Sequence, residues 1–224
     1  KIFKYNNVVI NNIVIGGNMA IRNFELDKKI INAANKEFLK EGFTKASLRR
    51  IAQKAGITTG ALYTRYKNKD ELFCSLVSDV CKKFDEQFTY LMPLFYTAIE
   101  NKSIDKYVQI VHLETQNILS LMYSNYDACI LLLNCSKGSS VENWFEQTIQ
   151  RIITEAQQFY YSFLGDSINK KALELIIVAQ FSVYKQVIQN GYSKEEAESC
   201  LEVVSQFFDS GWKMIMDDVD FYGE

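Results

Sequence analysis

Residues that build common catalytic and metal sites are scarce in this sequence. His112 is the only histidine among 224 residues, so a multi-histidine metal site cannot be assembled. The five cysteines are odd in number and form no C-x-x-C pair, which argues against a disulfide framework and against a zinc site. No glycine-rich phosphate loop and no nucleophile–base arrangement is evident. These absences argue against an enzyme, and no cofactor is predicted.

Proline and long apolar runs are also scarce. Pro93 is the only proline and glycine occurs ten times, which favours a mostly helical chain. Hydrophobic residues make up 48% of the sequence, enough to bury a core. The apolar run from Val8 to Ile15 is interrupted by two asparagines and is too short for a membrane span or a convincing signal peptide. We therefore expect a cytoplasmic protein with no membrane partner.

Charge is distributed unevenly along the chain. Residues 19–72 hold 12 lysines and arginines against 6 acidic residues, whereas residues 73–224 hold 11 against 21. A basic head on an acidic body is expected when only the head contacts a polyanion. Ordinary surface charge would explain a modest imbalance, but less readily one that changes sign at a motif boundary.

A stretch early in the chain has the pattern of two short helices around a tight turn. The first predicted helix runs from Ser47 to Ala55 and places its apolar residues on one face. The polar residues of this helix that are predicted to face water are Arg49, Arg50, Gln53 and Lys54. Gly56 is a typical left-handed cap, and Thr58 or Thr59 is predicted to cap a second helix that ends near Tyr66. This is a helix-turn-helix pattern.

The second predicted helix is suited to double-stranded DNA. Gly60 lets the backbone approach the major groove, Arg65 can reach a guanine or a phosphate, and Tyr63 can bind phosphate oxygens. A capping box that starts at Asn68 opens a third helix, where Lys69 can face a phosphate. The predicted DNA-binding residues are Thr44, Lys45, Ser47, Arg49, Thr58, Thr59, Gly60, Tyr63, Thr64, Arg65 and Lys69.

Three motifs in this region agree with a known family at fixed spacing. They are F-x-x-x-G-F from Phe38, R-x-I-A-x-x-A-G from Arg49, and G-x-L-Y-x-x-Y-x-x-K-x-x-L from Gly60. Residues 26–72 thereby resemble the DNA-binding domain of the TetR family of bacterial transcriptional regulators. A helical hairpin that merely packs would not require so many agreeing positions. Thr64 and Arg65 depart from the family, which often has an aromatic residue or a histidine there, so the operator sequence stays open.

The resemblance implies an all-α fold in two continuous parts. Residues 19–72 are expected to form a three-helix helix-turn-helix DNA-binding domain, and residues 73–224 a helical effector-binding and dimerisation domain.

Residues 1–18 share no pattern with the rest. The codons for Gly16 to Asn18 can spell GGAGG, a bacterial ribosome-binding sequence, just before Met19. We therefore expect residues 1–18 to be a non-native extension derived from an untranslated leader, with a genuine β-hairpin or sticky arm as the alternative.

Helical periodicity continues through the rest of the chain. A leading helix is predicted from Glu25 to Glu41, and a long helix from Asp70 is predicted to stop before Pro93. The long helix leaves the head and enters the body, which makes it the natural mechanical link. Further helices are predicted at Ile104 to Tyr123, Tyr126 to Asn134, Val141 to Leu164, Lys171 to Gln189 and Lys194 to Met216. Their predicted caps include Ser103 and capping boxes that start at Ser139 and Ser193.

The middle helices are crowded with aromatic residues, which favours an aromatic-walled cavity for a small molecule. The predicted effector-binding residues are Phe88, Tyr107, His112, Gln116, Asn134, Trp144, Phe145 and Tyr160. Aromatic residues at helical spacing are more often plain core, and a lone histidine is more often a half-buried, satisfied residue than a ligand contact.

The last two predicted helices carry more apolar surface than one core contact requires. This favours a homodimer held by a four-helix interface, as the family resemblance also implies. The predicted interface residues are Ile177, Phe181, Tyr184, Val204, Phe208, Gly211 and Trp212. Completion of the protomer's own core is the alternative, but one recognition helix alone rarely gives useful affinity for DNA.

These features predict a DNA-binding transcriptional regulator. The resemblance adds that it is a dimeric repressor, released from an inverted-repeat operator by a small apolar or aromatic effector. A transcriptional activator and a ligand-independent regulator are alternatives. A helical ligand-binding enzyme or carrier is the competing class, and in it the basic head would have no role.

Overall fold

The computed structural model describes residues 24–164 and 169–218, with side chains for residues 24–159 and 169–215. This part of the chain is all-helical, as the sequence predicts. The helices are α1 (Phe24–Lys45), α2 (Leu48–Ala55), α3 (Thr59–Tyr63), α4 (Lys69–Glu100), α5 (Ile104–Ser124), α6 (Tyr126–Ile130), α7 (Trp144–Leu164), α8 (Lys170–Gln189) and α9 (Lys194–Asp218). The predicted leader, residues 1–18, lies outside the described residues.

Helix α4 continues through Pro93, which contradicts the prediction that it ends there. It spans Lys69–Glu100. Proline lacks an N–H and so removes one backbone hydrogen bond from a helix. However, Ala98 and Ile99 lie beyond it and are buried in the core, on a helix that packs along α5. Burial of this additional apolar surface offsets the lost bond, so tertiary packing sets the end of α4.

Local capping predicts some helix starts and misses others. Ser193 and Glu196 form the predicted capping box: Glu196 N donates to Ser193 Oγ at 3.2 Å, and Ser193 N donates to Glu196 Oε2 at 2.7 Å. The capping box predicted at Ser139 is wrong, because Glu142 instead accepts from Gly138 N and the helix begins later in the chain. Ser139 Oγ accepts from Val141 N at 3.3 Å, so the side chains of Ser139 and Glu142 stabilise the loop before α7 rather than its first turn.

The helix predicted from Tyr126 to Asn134 is divided in the structure. Its α-helical part, α6, ends at Ile130, and a π-helical turn continues it over Leu131–Cys135. Leu131 and Leu132 are buried within this turn. The predicted cap at Ser103 also fails, because its side chain makes no cap hydrogen bond to α5.

The buried apolar residues form one cluster that extends from the head into the body. In the head, the rings of Phe38, Phe43 and Phe73 pack together with centroids 5.0–6.2 Å apart. Phe73 belongs to α4, so this contact fixes the long helix against α1. The two parts therefore share a core instead of being joined by a flexible linker.

A second contact joins the head to the body through residues 136–140, here named the head–body loop. This loop follows the π-helical turn, which lies against α1. Thr44 Oγ1 donates to Lys137 O at 2.8 Å, and Ser140 N donates to Asp70 Oδ1 at 2.8 Å. The loop thus holds the head at the end of α1 and at the start of α4. The sequence predicted the link through α4 itself but not this loop.

The length and the apolar composition of a helix decide whether it could cross a membrane, and both are known for the described helices. None of them alone is long and apolar enough to cross a membrane, and only α5 taken together with residues 126–135 meets that length and composition, across a bend of 95°.

Candidate functional site

Helix α2 has the boundaries that its sequence predicts. Ser47 Oγ accepts a hydrogen bond from Arg50 N at 3.4 Å, which caps the N-terminus. Gly56 ends the helix in the left-handed conformation at φ 71°, where a residue with a Cβ would be strained. Ile51 and Ala52 are buried beneath the helix. The turn into α3 is therefore set by local interactions.

A buried carboxylate, not predicted from the sequence, fixes α2 to α1. Glu37 Oε1 accepts from Arg50 Nε at 2.6 Å and from Ser47 N at 3.3 Å, and its Oε2 accepts from Lys54 Nζ at 3.0 Å. Burial alone would raise the pKa of Glu37, but the hydrogen bonds from Lys54 and Arg50 outweigh burial and lower it. Arg50 and Lys54 are exposed, as predicted, but the sequence did not predict that they also bind a buried carboxylate.

Helix α3 is shorter than predicted and is exposed at its N-terminus. It spans Thr59–Tyr63 instead of continuing to about Tyr66. Thr58 Oγ1 caps it by accepting from Ala61 N at 3.1 Å. Leu62 is fully buried, whereas the side chain of Tyr63 is 51% exposed. One face of α3 thus holds the helix in the head while the opposite face meets solvent.

Arg65 does not extend freely toward solvent. Its Nε lies 3.0 Å from Asp27 Oδ1, and this pair joins the end of α3 to the first turn of α1. The two residues are 38 positions apart. In this geometry its guanidinium braces the head, and its contact with a guanine or a phosphate stays a prediction.

Lys69 also makes contacts within the head, and its predicted phosphate contact stays a prediction. Its Nζ donates to Thr44 O at 3.1 Å and to Ala46 O at 3.3 Å, and it lies 4.6 Å from the centre of the Phe43 ring. These carbonyl groups follow Gly42, whose non-helical backbone (φ 70°, ψ 166°) breaks α1. Lys69 therefore satisfies backbone acceptors where α1 ends.

The remaining predicted DNA-binding residues divide into two groups. Ser47 and Thr58 are helix caps, Thr44 contacts the head–body loop, and Thr64 Oγ1 donates to Gly60 O at 3.0 Å. The second group is Lys45, Arg49, Gly60 and Tyr63, which are exposed, together with Thr59, which is partly exposed. Lys67, close to this group in sequence, is also exposed and was missing from the prediction.

The predicted effector residues do not converge on one cavity. Phe88, Trp144 and Phe145 line a cavity of about 30 Å³ between α4, α7 and α8. Phe88 also lines a second cavity of about 60 Å³ together with Tyr107. Of the others, His112 and Gln116 face an open groove between α5 and α9, Asn134 is exposed, and the side chain of Tyr160 lies outside the described residues.

The second cavity contains a carboxyl group that was missing from the predicted effector residues. Glu114 lies on its wall and is 5% exposed. Burial raises the pKa of Glu114 to about 8. A glutamate at a core position of an otherwise apolar helix face is the signal that would have identified it.

Four of the predicted interface residues are instead part of the protomer core. Ile177, Phe181, Tyr184 and Trp212 are only 3–7% exposed, so they offer little surface to a second chain. For these residues the alternative, completion of the protomer's own core, holds. Val204, Phe208 and Gly211 are partly exposed and stay predicted interface residues.

A different set of apolar residues on α8 and α9 is exposed. We name these residues the outer stripe: Leu175, Val178, Val203, Phe207 and Met214, which are 38–77% exposed. On each helix their spacing of three, four or seven places them on one face. Because α8 is apolar on most of its circumference, periodicity alone did not distinguish this face from the core face.

The cysteines and acidic residues suggest no further chemistry. Burial raises the pKa of both Cys81 and Cys129 to about 12, which keeps these thiols protonated and unreactive at neutral pH. Among residues 24–164 and 169–218, no three histidine, cysteine or acidic side chains are grouped so that they could hold a metal ion.

Comparison with known proteins agrees with this geometry. Residues 30–76 match the family model described as bacterial regulatory proteins, tetR family. Over 61 residues the chain is 38% identical to the HTH-type transcriptional regulator TtgR of Pseudomonas putida, a match that covers 27% of this chain and 29% of TtgR. The chain is thus similar to less than a third of the length of this relative.

Two solved structures share the fold over most of the chain. SCO3833 of Streptomyces coelicolor, a TetR family member, superposes with a TM-score of 0.56 at 16% identity and covers 81% of this chain and 90% of its own. NalD of Pseudomonas aeruginosa, the secondary repressor of the MexAB-OprM multidrug efflux pump, superposes with a TM-score of 0.52 at 17% identity over 80% and 94%. The helix-turn-helix region, residues 30–76, thus matches the tetR family of bacterial regulatory proteins, and it lies within a fold that TetR-like regulators share.

Proposed function

We propose that this protein is a dimeric, operator-binding transcriptional repressor that a small apolar or aromatic effector releases from DNA. The observation that carries the proposal is the exposed N-terminal end of α3, held on a buried scaffold beside exposed basic residues. The proposal assigns no catalytic activity to the chain, and it places the protein in the cytoplasm, where its operator would be.

The DNA contacts follow from the outward-facing residues of the head. Gly60 and Thr59 open α3, so its first turn can approach base edges in the major groove without steric hindrance. Lys45, Arg49 and Lys67 are exposed on the head and supply positive charge for the phosphates on either side. Arg65 and Lys69 contribute indirectly, because they fix α3 and α4 to the rest of the head.

Dimerisation through the outer stripe supplies the second recognition helix. Phe207 and Leu175 are 77% and 68% exposed, and together with the other three residues they leave an apolar face on both α8 and α9. Two copies of this face would form a four-helix interface of the predicted kind. The NalD structure, described as that of a repressor, supports the repressor interpretation by analogy of fold only.

The effector is proposed to act in the two cavities of the body. Phe88 and Phe181 line both cavities and their rings lie 5.7 Å apart, so they form the partition between them. A drug-sized ligand needs several hundred Å³, far more than the present volumes. Binding would therefore require the partition and the surrounding helices to move, which links ligand binding to a change of conformation.

The expected operator is an inverted repeat. A dimer with two-fold symmetry presents two α3 helices, so DNA selected from a random pool should contain two related half-sites about one helical turn apart, roughly 34 Å. Sequencing of the retained DNA, together with the genes that flank this one, provides the measurement. Enrichment of an unpaired half-site, or no enrichment at all, would contradict the proposal.

Substitution of Phe207 by glutamate should split the dimer. A charge buried without a partner at an apolar interface is strongly unfavourable, so we expect the dimer dissociation constant to rise at least about tenfold, measured by sedimentation velocity. Phe24→Glu is the matched control, because Phe24 is 73% exposed but lies on the head. If Phe207→Glu stays as dimeric as Phe24→Glu, the interface lies elsewhere.

A further inference from the structure

The larger of the two body cavities combines one carboxyl group with aromatic walls. Glu114 of α5 lies on its wall, and among the described residues the one hydrogen bond to Glu114 is donated by Gln180 Nε2 to its Oε2 at 3.5 Å. That distance is at the long limit for such a bond. Gln180 Oε1 accepts from Trp212 Nε1 at 3.2 Å, which fixes the orientation of the amide. The carboxyl group is therefore buried and poorly satisfied; we name this space the Glu114 cavity.

We propose that the Glu114 cavity binds an organic cation, with the cationic group against the Glu114 carboxylate and the apolar part of the molecule among the aromatic rings. This inference rests on the proposed function and names the class of its effector. The inference is carried by the position of a buried acidic residue in a cavity whose aromatic walls would also favour a cation.

Those walls include three aromatic rings in contact. The centroids of Phe95 and Tyr107 lie 5.2 Å apart, and those of Tyr107 and Trp212 lie 5.9 Å apart. The face of an aromatic ring carries partial negative charge and attracts a cation when both are removed from water. An anionic effector would instead meet both the carboxylate and the rings, so the cavity discriminates by charge.

Binding of a cation should release a proton. Burial raises the pKa of Glu114 to about 8, so at neutral pH most of the unliganded protein carries the protonated acid. When the cation enters, the Glu114 proton passes to the buffer and the carboxylate remains as the counter-ion. The complex then has the same net charge as the unliganded protein. Affinity for a cation should therefore increase with pH until the pH exceeds about 8, and then become constant.

Other titratable groups lie near Glu114, and their titration must be distinguished from that of Glu114. Tyr184 of α8 lies beside Glu114, and its hydroxyl is 2.9 Å from Thr115 Oγ1. Asp209 of α9 pairs with His112 Nε2 at 2.9 Å. Two further titratable residues line the cavity, Tyr96 of α4 and Tyr107 of α5, whereas the residues that α7 contributes, Ile152 and Ala156, are uncharged. All of these are retained in Glu114→Gln, so a difference between the two proteins isolates the glutamate.

A pair of probes with the same shape and different charge tests the inference. We would use (4-(hydroxymethyl)phenyl)trimethylammonium and its neutral isostere 4-tert-butylbenzyl alcohol, neither of which titrates in this range, and measure binding to the full chain without DNA by calorimetry in two buffers of different ionisation enthalpy. The expected result is at least about tenfold tighter binding of the cation, release of nearly one proton at about pH 7, and tightening of the cation alone from about pH 7 to 8.

Glu114→Gln should remove the preference for the cation and the proton release, while the neutral probe binds as before. Glu155→Gln is the matched control, since Glu155 is a half-buried carboxylate of α7 that does not line the cavity. Equal binding of the two probes, no proton release in the wild-type protein, or no binding of the cation at about 1 mM would overturn the inference. Operator selection by the ligand-free protein is independent of these results, so the failure of one does not imply the failure of the other.

Discussion

Gly60→Asp is expected to abolish operator binding while the protein remains folded. Gly60 lies in the first turn of α3, and a Cβ placed there would be 3.8 Å from Thr58 Oγ1, which is an ordinary contact. An acidic residue in the first turn of a helix is also electrostatically favourable. The substitution therefore introduces a negative charge at the proposed DNA surface at little cost to stability.

The loss of affinity should be large because the new carboxylate opposes DNA in two ways. It occupies the space through which the backbone of α3 approaches the groove, and it faces phosphates and base acceptors that cannot neutralise it. We expect a decrease of roughly 1,000-fold, about 4 kcal/mol, measured by fluorescence anisotropy with the selected operator.

Two controls accompany this substitution. Gly60→Ala adds the Cβ without the charge and should cost about tenfold or less. Thr89→Asp makes the same change of net charge at an exposed position of α4 in the body and should leave affinity nearly unchanged. If Gly60→Asp bound operator within about threefold of the wild-type protein, α3 would not be the recognition helix.

The features that sequence patterns predicted correctly are those set by neighbouring residues. Ser47 caps α2 and Gly56 ends it, because the groups that meet there are at most four residues apart. The capping box at Ser193 has the same origin. The family motifs describe these local interactions together, which is why the helix-turn-helix could be recognised from the sequence.

Sequence patterns did not predict the contacts between residues distant in sequence. Arg65 was expected to contact DNA, yet its partner Asp27 lies 38 positions earlier, and no local pattern indicates that pairing. Glu37 likewise accepts from Lys54 across 17 positions. In both cases a basic residue of the head acts within the fold, so its charge alone did not reveal its role.

Pro93 and the outer stripe show a second limit of sequence patterns. The effect of Pro93 on α4 depends on how much surface the next turn buries, and that surface is supplied by α5. For α8, apolar residues surround most of the helix, so both faces satisfied the same pattern. Only the packing of Phe181 in the core, with Leu175 left exposed, separates them.

Control of DNA binding is expected to follow from the two links between head and body. Helix α4 contributes Phe73 to the aromatic core of the head, and its Phe88 lines both cavities. The π-helical turn contributes Leu132 and Leu133 to the smaller cavity, and the head–body loop that follows it is bonded to Thr44. A ligand that enlarges these cavities would displace both links together.

We expect an effector to weaken operator binding by about 100-fold, roughly 2.7 kcal/mol. The reason is geometric: in a dimer, a tilt of each head changes the separation of two α3 helices that must match one turn of DNA. The effector shifts this equilibrium only by its difference in affinity for the two conformations.

Effector binding can be followed with the protein's own fluorescence. The chain has two tryptophans, and each lines one cavity: Trp144 the smaller and Trp212 the larger. The variants Trp144→Phe and Trp212→Phe therefore report on one cavity each. A panel of apolar and aromatic compounds, charged and neutral, would be screened by fluorescence quenching before DNA is introduced.

The most direct test of the account is the affinity of one such compound for the dimer with and without its operator. Linkage requires that a compound which weakens DNA binding must itself bind more weakly to the DNA-bound dimer, by the same factor. We predict a difference of about 100-fold in the compound's dissociation constant, equal to its effect on the dissociation constant for operator. Equal affinity for the free and the operator-bound dimer, for a compound whose binding quenches Trp144 or Trp212, would contradict control of DNA binding through the body.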